Sequence, residues 1–195
     1  LAVVYKPPGL SVQGDVRSRI AVGLQPSQAF DREPLWRPQH VHRLDSPTSG
    51  LLVVAKTGQA LRTLSASFAD RHVHKTYHAV VVGSFGVERG SINLPLSGQD
   101  ARTDYRVLGT YPSAAYGSIS LVSLSPITGR THQLRRHMAL LGHPILGDHK
   151  YWPNHLPPHE RQQDEEEDEQ VLMLSAVRLE FPHPVTGASL QVQAS

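Results

Sequence analysis

His42-Arg43-Leu44-Asp45-Ser46-Pro47-Thr48-Ser49-Gly50 runs straight into Leu51-Leu52-Val53-Val54-Ala55. The first nine residues are dense in Pro, Ser, Thr and Gly and read as an ordered loop. The next five form a continuous apolar run, the pattern of a buried strand. A carboxylate, Asp45, is thereby placed on a loop at the edge of a sheet, where it can meet a substrate. An Asx-type turn capped by Asp45 or Ser46 explains the same loop without any chemistry, and these residues alone leave both open.

Outward from this stretch, Leu1 to Tyr5 reads as a strand stopped by Pro7-Pro8-Gly9; because the chain opens directly in that run, sequence upstream of it is expected. Ser11 to Pro38 is polar, with several turn formers, and predicts one short helix or loop. Thr57 is a helix N-cap candidate, followed by Leu61, Leu64 and Phe68 at helical spacing. Thr76 to Val82 reads as a strand with Tyr77, Ala79 and Val81 on one face. Ser118 to Leu124 reads as another. After the turn Pro126 to Gly129 a helix is predicted with Leu134, Met138 and Leu141 on its buried face, Gly142 as C-cap and Pro144 beyond. Residues 152–170, with three prolines and an acidic run, read as a mobile surface loop. Val171 to Phe181 and Leu190 to Val192 read as a closing hairpin. One domain, 1–195, of the α+β class with a mixed sheet is the expectation.

Composition sets bounds. The 195 residues are 39% hydrophobic and 18% charged, with no cysteine. Disulfides and thiolate chemistry are excluded. No apolar run approaches the roughly 18 residues of a membrane span, and the N-terminus shows no signal-peptide pattern. The net charge is +2, but six acids fall in one block, Asp164 to Glu169; without it nineteen bases face eleven acids, a charge of +8. Fifteen of the bases are Arg, whose planar fork suits phosphate. A basic body fits a nucleic-acid partner; it equally fits an ordinary soluble surface. The histidines lack the tight, repeated acidic or cysteine spacing of a metal site. They read as surface or RNA-facing residues, so no metal is expected.

Two further segments carry candidate chemistry. In Gly129-Arg130-Thr131-His132-Gln133-Leu134-Arg135-Arg136-His137-Met138, helical geometry turns Leu134 and Met138 inward and leaves Arg135 and Arg136 on flanking faces. Arg136 is most simply solvated. An arginine at the margin of an apolar stripe is often held by a buried acid, and Asp45 is the candidate. In Lys75-Thr76-Tyr77-His78-Ala79-Val80-Val81-Val82-Gly83, Tyr77 is either core or a ring on which a base stacks.

Together the three segments resemble the RluA-type pseudouridine synthases. The shared motifs are HRLDxxTSG from His42 to Gly50, K-x-Y-x-A-x-V-x-G from Lys75 to Gly83, and P-x-TGR-x-HQLR-x-HM-x(4)-HPI-x-GD from Pro126 to Asp148. Lys6-Pro7 with Gly9 and Ala101-x-Thr103-x-Tyr105-x-Val107 are lesser matches. The resemblance covers nearly the whole chain in the family's order. Arg135-Arg136-His137, with Tyr111-Pro112 and Tyr116-Gly117, is similar to the tRNA-acting TruC branch; Tyr151 fits the ribosomal-RNA branches as well. No S4-type RNA-binding module is visible.

The resemblance implies a synthase catalytic domain with a central mixed, mostly antiparallel sheet and flanking helices. It implies Asp45 as catalytic aspartate, Tyr77 as the tyrosine packed against the target base, and Arg135 as the arginine pairing with the aspartate. Arg43 would lie beside the flipped nucleotide, and Arg130, His132, Arg136 and Lys75 would contact RNA. The reaction breaks the N1–C1′ bond, turns the uracil and joins C5 to C1′, with no redox change, so no cofactor is demanded. Extrusion of the base from its stack costs a few kcal/mol. An RNA partner, ribosomal or transfer, association with the ribosome or its assembly, and an intracellular location are the corresponding expectations. The competing one is a retired synthase serving as an RNA-binding or assembly scaffold.

Overall fold

The computed structural model describes residues 1–28, 33–153 and 171–194. The expected mobile loop, 152–170, lies outside the described residues from 154 onward. The chain divides into two compact units, Leu1–Lys75 with Ser175–Ser195, and Thr76–Leu174.

The first unit is organised on the strand that the apolar run foretold. Strand β3 (Ser49–Thr57) has Leu52, Val53, Val54 and Ala55 at 0% exposure. Strand β1 (Ala2–Lys6) pairs it antiparallel, from Ala2 opposite Val54 to Lys6 opposite Gly50. Strand β2 (Pro34–His40) also pairs it antiparallel, and strand β8 (Leu174–Pro182) joins its first two residues in parallel. Strand β9 (Ser189–Gln193) closes the expected hairpin with β8. Helix α2 (Gly58–Ala69) starts where Thr57 was expected to cap it, the Thr57 hydroxyl accepting from Ala60 N–H. Leu64 is fully buried, and Leu61 and Phe68 pack on the same core with Leu51, Val53, Leu179 and Phe181. The polar stretch from Ser11 holds more than the one short element expected. A π-helical turn, Val12–Val16, leads into helix α1 (Arg17–Gly23), and β2 follows.

Gly50 is the hinge between the Asp45 loop and β3. Its φ is +115°, and a Cβ built there falls on the backbone of Ala176. Both the backbone angle and the close passage of β8 demand glycine. Gly50→Ala is expected to cost at least about 2 kcal/mol of stability. Urea denaturation of the variant with an unchanged midpoint would contradict that.

The second unit is antiparallel. Strands β4 (His74–Val82), β7 (Gly117–Pro126), β6 (Arg102–Ser113) and β5 (Arg89–Asn93) pair in that order. Ala79 and Val81 are buried and Tyr77 packs on the same cluster, as the alternation predicted. Helix α3 (Gln133–Leu140) covers this core with Leu134 and Met138. Leu141, expected on the buried face, is 38% exposed, because the helix has ended before it. Gly142, at φ +84°, takes the left-handed position that ends the helix; its N–H and that of His143 return to the Ala139 and Met138 carbonyls in a Schellman closure. The chain then runs back beside β4, where Val82 N–H meets the Pro144 carbonyl and Leu146 N–H the Val80 carbonyl. The pairings within the units are mixed and mostly antiparallel, with few helices, as expected for the α+β class.

Candidate active site

Asp45 sits half-buried in the loop between β2 and β3, fixed by contacts on both sides. Upstream, the His42 ring stacks on Phe68 at 4.4 Å, and its Nε2 accepts from Val53 N–H at 3.0 Å. Downstream, Thr48 N–H donates to the Asp45 carbonyl and closes a four-residue turn. Lys6, 1% exposed, lies beneath. Its ammonium donates to the carbonyls of Pro7 at 2.9 Å, Leu10 at 3.0 Å and Ser46 at 2.8 Å, which uses all three of its protons. Ser46 Oγ donates to the Gly9 carbonyl. The Pro7-Pro8-Gly9 turn and the Asp45 turn are thus tied together by one buried cation. Burial pushes the Lys6 ammonium down from its ordinary range, and the negative charge of Asp45 opposes that. Arg43 is exposed beside Asp45, and Lys75 is half-buried, its ammonium pushed down by desolvation.

Burial, with Lys75 and His40 adding positive charge, pushes His42 down to about 3. The native state therefore holds it neutral. As pH falls below 6.5 the unfolded chain binds a proton that the folded chain refuses until about pH 3. Stability from this residue is complete above that upper value and is lost on acidification, by up to about 1.4 kcal/mol per pH unit. In urea titrations between pH 7 and pH 4, His42→Gln is expected to flatten the pH dependence by about one proton's worth. Parallel curves for the two proteins would refute this.

In the second unit the turn before α3 is built by buried polar groups. Gln133, 4% exposed, accepts from the Thr128 hydroxyl at 2.6 Å and from Arg130 N–H, and donates to the Arg102 carbonyl and Thr103 Oγ1. Thr103 in turn meets His137 Nδ1 at 2.9 Å, while His137 Nε2 reaches the Leu94 carbonyl at 3.0 Å. A carbonyl only accepts, so Nε2 carries the proton and Nδ1 accepts from Thr103. His137 is 0% exposed and desolvation pushes its pKa down. It is not the surface or RNA-facing histidine expected. Its position three residues after the inward Leu134 was the available signal.

Arg135 is 6% exposed and held side-on. Its Nε and Nη2 each donate at 2.7 Å to the two oxygens of Asp148, itself 1% exposed. Asp148 Oδ1 also accepts from the backbone N–H groups of Lys150 and Tyr151. The Tyr151 ring lies 5.1 Å from the guanidinium carbon, and its hydroxyl meets His132 Nδ1 at 2.8 Å. His132 takes a left-handed conformation, φ +51°, at the start of α3. Arg130 Nε donates to the Asp100 carbonyl, and Arg136 Nη1 to Ser97 Oγ. Tyr77 and Leu134 belong to the same core, so Tyr77 and Arg135 are anchored by one packed cluster. The structure therefore gathers Arg135, His132 and Tyr151 around Asp148 in the second unit, and sets Asp45, Arg43 and Lys75 in the first.

The profile of a family described as RNA pseudouridylate synthase matches residues 1–140. The chain belongs to that family. Similar proteins include the ribosomal large subunit pseudouridine synthase C of Vibrio cholerae serotype O1, 34% identical over 212 residues that take in 100% of this chain and 62% of the relative. The tRNA pseudouridine synthase C of Salmonella typhi is 40% identical over 184 residues, 80% of this chain and 68% of the relative. The chain thus spans about three-fifths of the first relative's length. Among solved structures, human RNA pseudouridylate synthase domain containing 1 superposes with a TM-score of 0.77 at 26% identity, over 99% of this chain and 78% of that one. Three supporting residues of this chain had no role assigned from sequence: Lys6, Asp148 and Tyr151. The Lys6-Pro7 and Gly147-Asp148 pairs stood in the matched motifs, but nothing in residue type or spacing pointed to what their side chains hold. Among the described residues no group of three or more His, Asp or Glu is placed to hold a metal ion, and no helix is long and apolar enough to cross a membrane.

Proposed function

We propose that this chain converts uridine in RNA to pseudouridine, with Asp45 as the catalytic carboxylate. The observation that carries the proposal is the Asp45 turn, anchored from below by Lys6 and from the side by His42 in a chain of this family. In the reaction the N1–C1′ bond breaks, the uracil rotates and C5 bonds to C1′. The C5 proton leaves, N1 gains a proton, and no electrons are exchanged. Asp45 supplies the negative charge required at the sugar, as nucleophile or as base. Tyr77 supports the face of the extruded uracil, and Arg43 fills the space it vacates. Arg135 contributes a charge-assisted hydrogen-bond donor to the reaction. Lys75, Arg130, His132 and Arg136 supply phosphate contacts.

The relatives are named for ribosomal and for transfer RNA, and both are taken as candidate substrates. A ribosomal substrate would bring the protein to the ribosome or its assembly intermediates, inside the cell. The test uses transcribed ribosomal and transfer RNA carrying tritium at uridine C5. Release of tritium to water, with a new pseudouridine at one mapped position, is the expected result for the purified protein. Intact label in both RNAs, with the protein folded and binding RNA, would leave only the scaffold role.

A further inference from the structure

We propose that Asp148 and Tyr151 are positioning residues for Arg135: together they fix the plane and the orientation of the guanidinium that the reaction uses. The inference rests on the isomerase function proposed above and extends it to residues outside the reacting set. A guanidinium has five N–H bonds in a fixed plane. Asp148 takes one from Nε and one from Nη2, both at 2.7 Å, along one edge. That choice leaves the opposite edge, Nη1 and the outer Nη2 N–H, pointing away from Asp148. The plane is set as well as the edge, because the Tyr151 ring lies against it at 5.1 Å.

The two restraints share one origin. Asp148 Oδ1 accepts from Lys150 N–H and Tyr151 N–H, both at 3.1 Å, so the carboxylate that grips Arg135 also folds the turn that carries Tyr151. His132 then orients the far end of the ring through the Tyr151 hydroxyl. Gly147, at φ +77°, makes room: a Cβ there would fall on the Val171 backbone. A bidentate pair this buried is more than arginine needs merely to be neutralised. It removes rotational freedom about the last side-chain bonds, which is the requirement for a hydrogen-bond donor that must be in place before the substrate arrives.

Tyr151→Leu and Asp148→Asn test this in the full chain. The readouts are tritium release from C5-labelled RNA under steady-state conditions and RNA binding by filter retention. Wild type and Arg135→Lys serve as backgrounds, and thermal melts report folding. Expected for Tyr151→Leu is a fall in kcat of roughly tenfold or more, with KM and RNA affinity within about twofold. In the Arg135→Lys background, whose side chain cannot be held side-on, the same substitution is expected to change kcat by less than about twofold. Asp148→Asn should show the same pattern with a larger fall. Should it fail to fold, Tyr151→Leu alone decides. Full activity in Tyr151→Leu, or an equal loss in both backgrounds, overturns the positioning role while leaving the isomerase assignment intact. A wild-type protein that releases no tritium from either RNA overturns the assignment and this role with it.

Discussion

Asp45→Asn is expected to reduce pseudouridine formation by at least about a thousandfold while leaving the protein folded. The substitution keeps side-chain volume and removes only the charge. The Asp45 carbonyl, which closes the turn with Thr48 N–H, is untouched. Lys6 keeps its three carbonyl acceptors, although it loses the favourable charge of Asp45. The thermal midpoint should therefore move by less than about 4 °C. Affinity for RNA should hold or rise slightly, since a negative charge has been taken away from the phosphates. Single-turnover tritium release with saturating enzyme separates chemistry from binding. If the asparagine variant worked at more than a tenth of the wild-type rate, Asp45 would not be the catalytic group.

Arg135→Ala has the second large effect, and it falls on stability as well as on catalysis. The structure gives a reason to expect both, because Asp148, 1% exposed, would lose the guanidinium it pairs with and be left, among the described residues, with two backbone N–H donors on Oδ1. Stranding one member of a buried ion pair costs about 3–5 kcal/mol, a large share of the stability of an ordinary domain. The double variant Arg135→Met with Asp148→Asn is expected to recover most of that. Methionine fills the volume of the arginine stem, and asparagine still accepts from the two N–H groups. Catalysis should stay lost in both. Urea denaturation of the single and double variants measures the difference. An Arg135→Ala protein as stable as wild type would show that the ion pair adds nothing, and one of full activity would remove Arg135 from the mechanism.

What could be read from the sequence depended on which faces each element buries. Strand β3 was plain because both of its faces are covered, so its apolar residues run without a break. Strand β4 and helix α2 were plain because each has one covered face and, for α2, a capping threonine. Strand β6 was hidden. Its inward position Thr103 is polar yet 0% exposed, and a bulge between Val107 and Gly109 breaks the alternation. Strand β2 was hidden by two prolines and by Trp36, which is 88% exposed. At the site, the residue types alone left each candidate open. The family's motifs assigned Asp45, Tyr77 and Arg135. The supports could not be assigned that way, since a lysine whose partners are three carbonyls, or an aspartate folded into its own turn, leaves no periodic trace.

The first unit is assembled from two segments separated by the whole of the second unit, with Ser49 and Gly50 of β3 laid beside Ser175 and Ala176 of β8. Translation at about 5–20 residues per second delivers those partners in a fixed sequence. The intervening unit can emerge and fold while the Asp45 segment, long since synthesised, still waits for its neighbouring strand. A nascent polypeptide halted before residue 175 would carry Asp45 on an unfinished sheet. The sheet beside Asp45 would thus be completed only once Ser175 and Ala176 have been made.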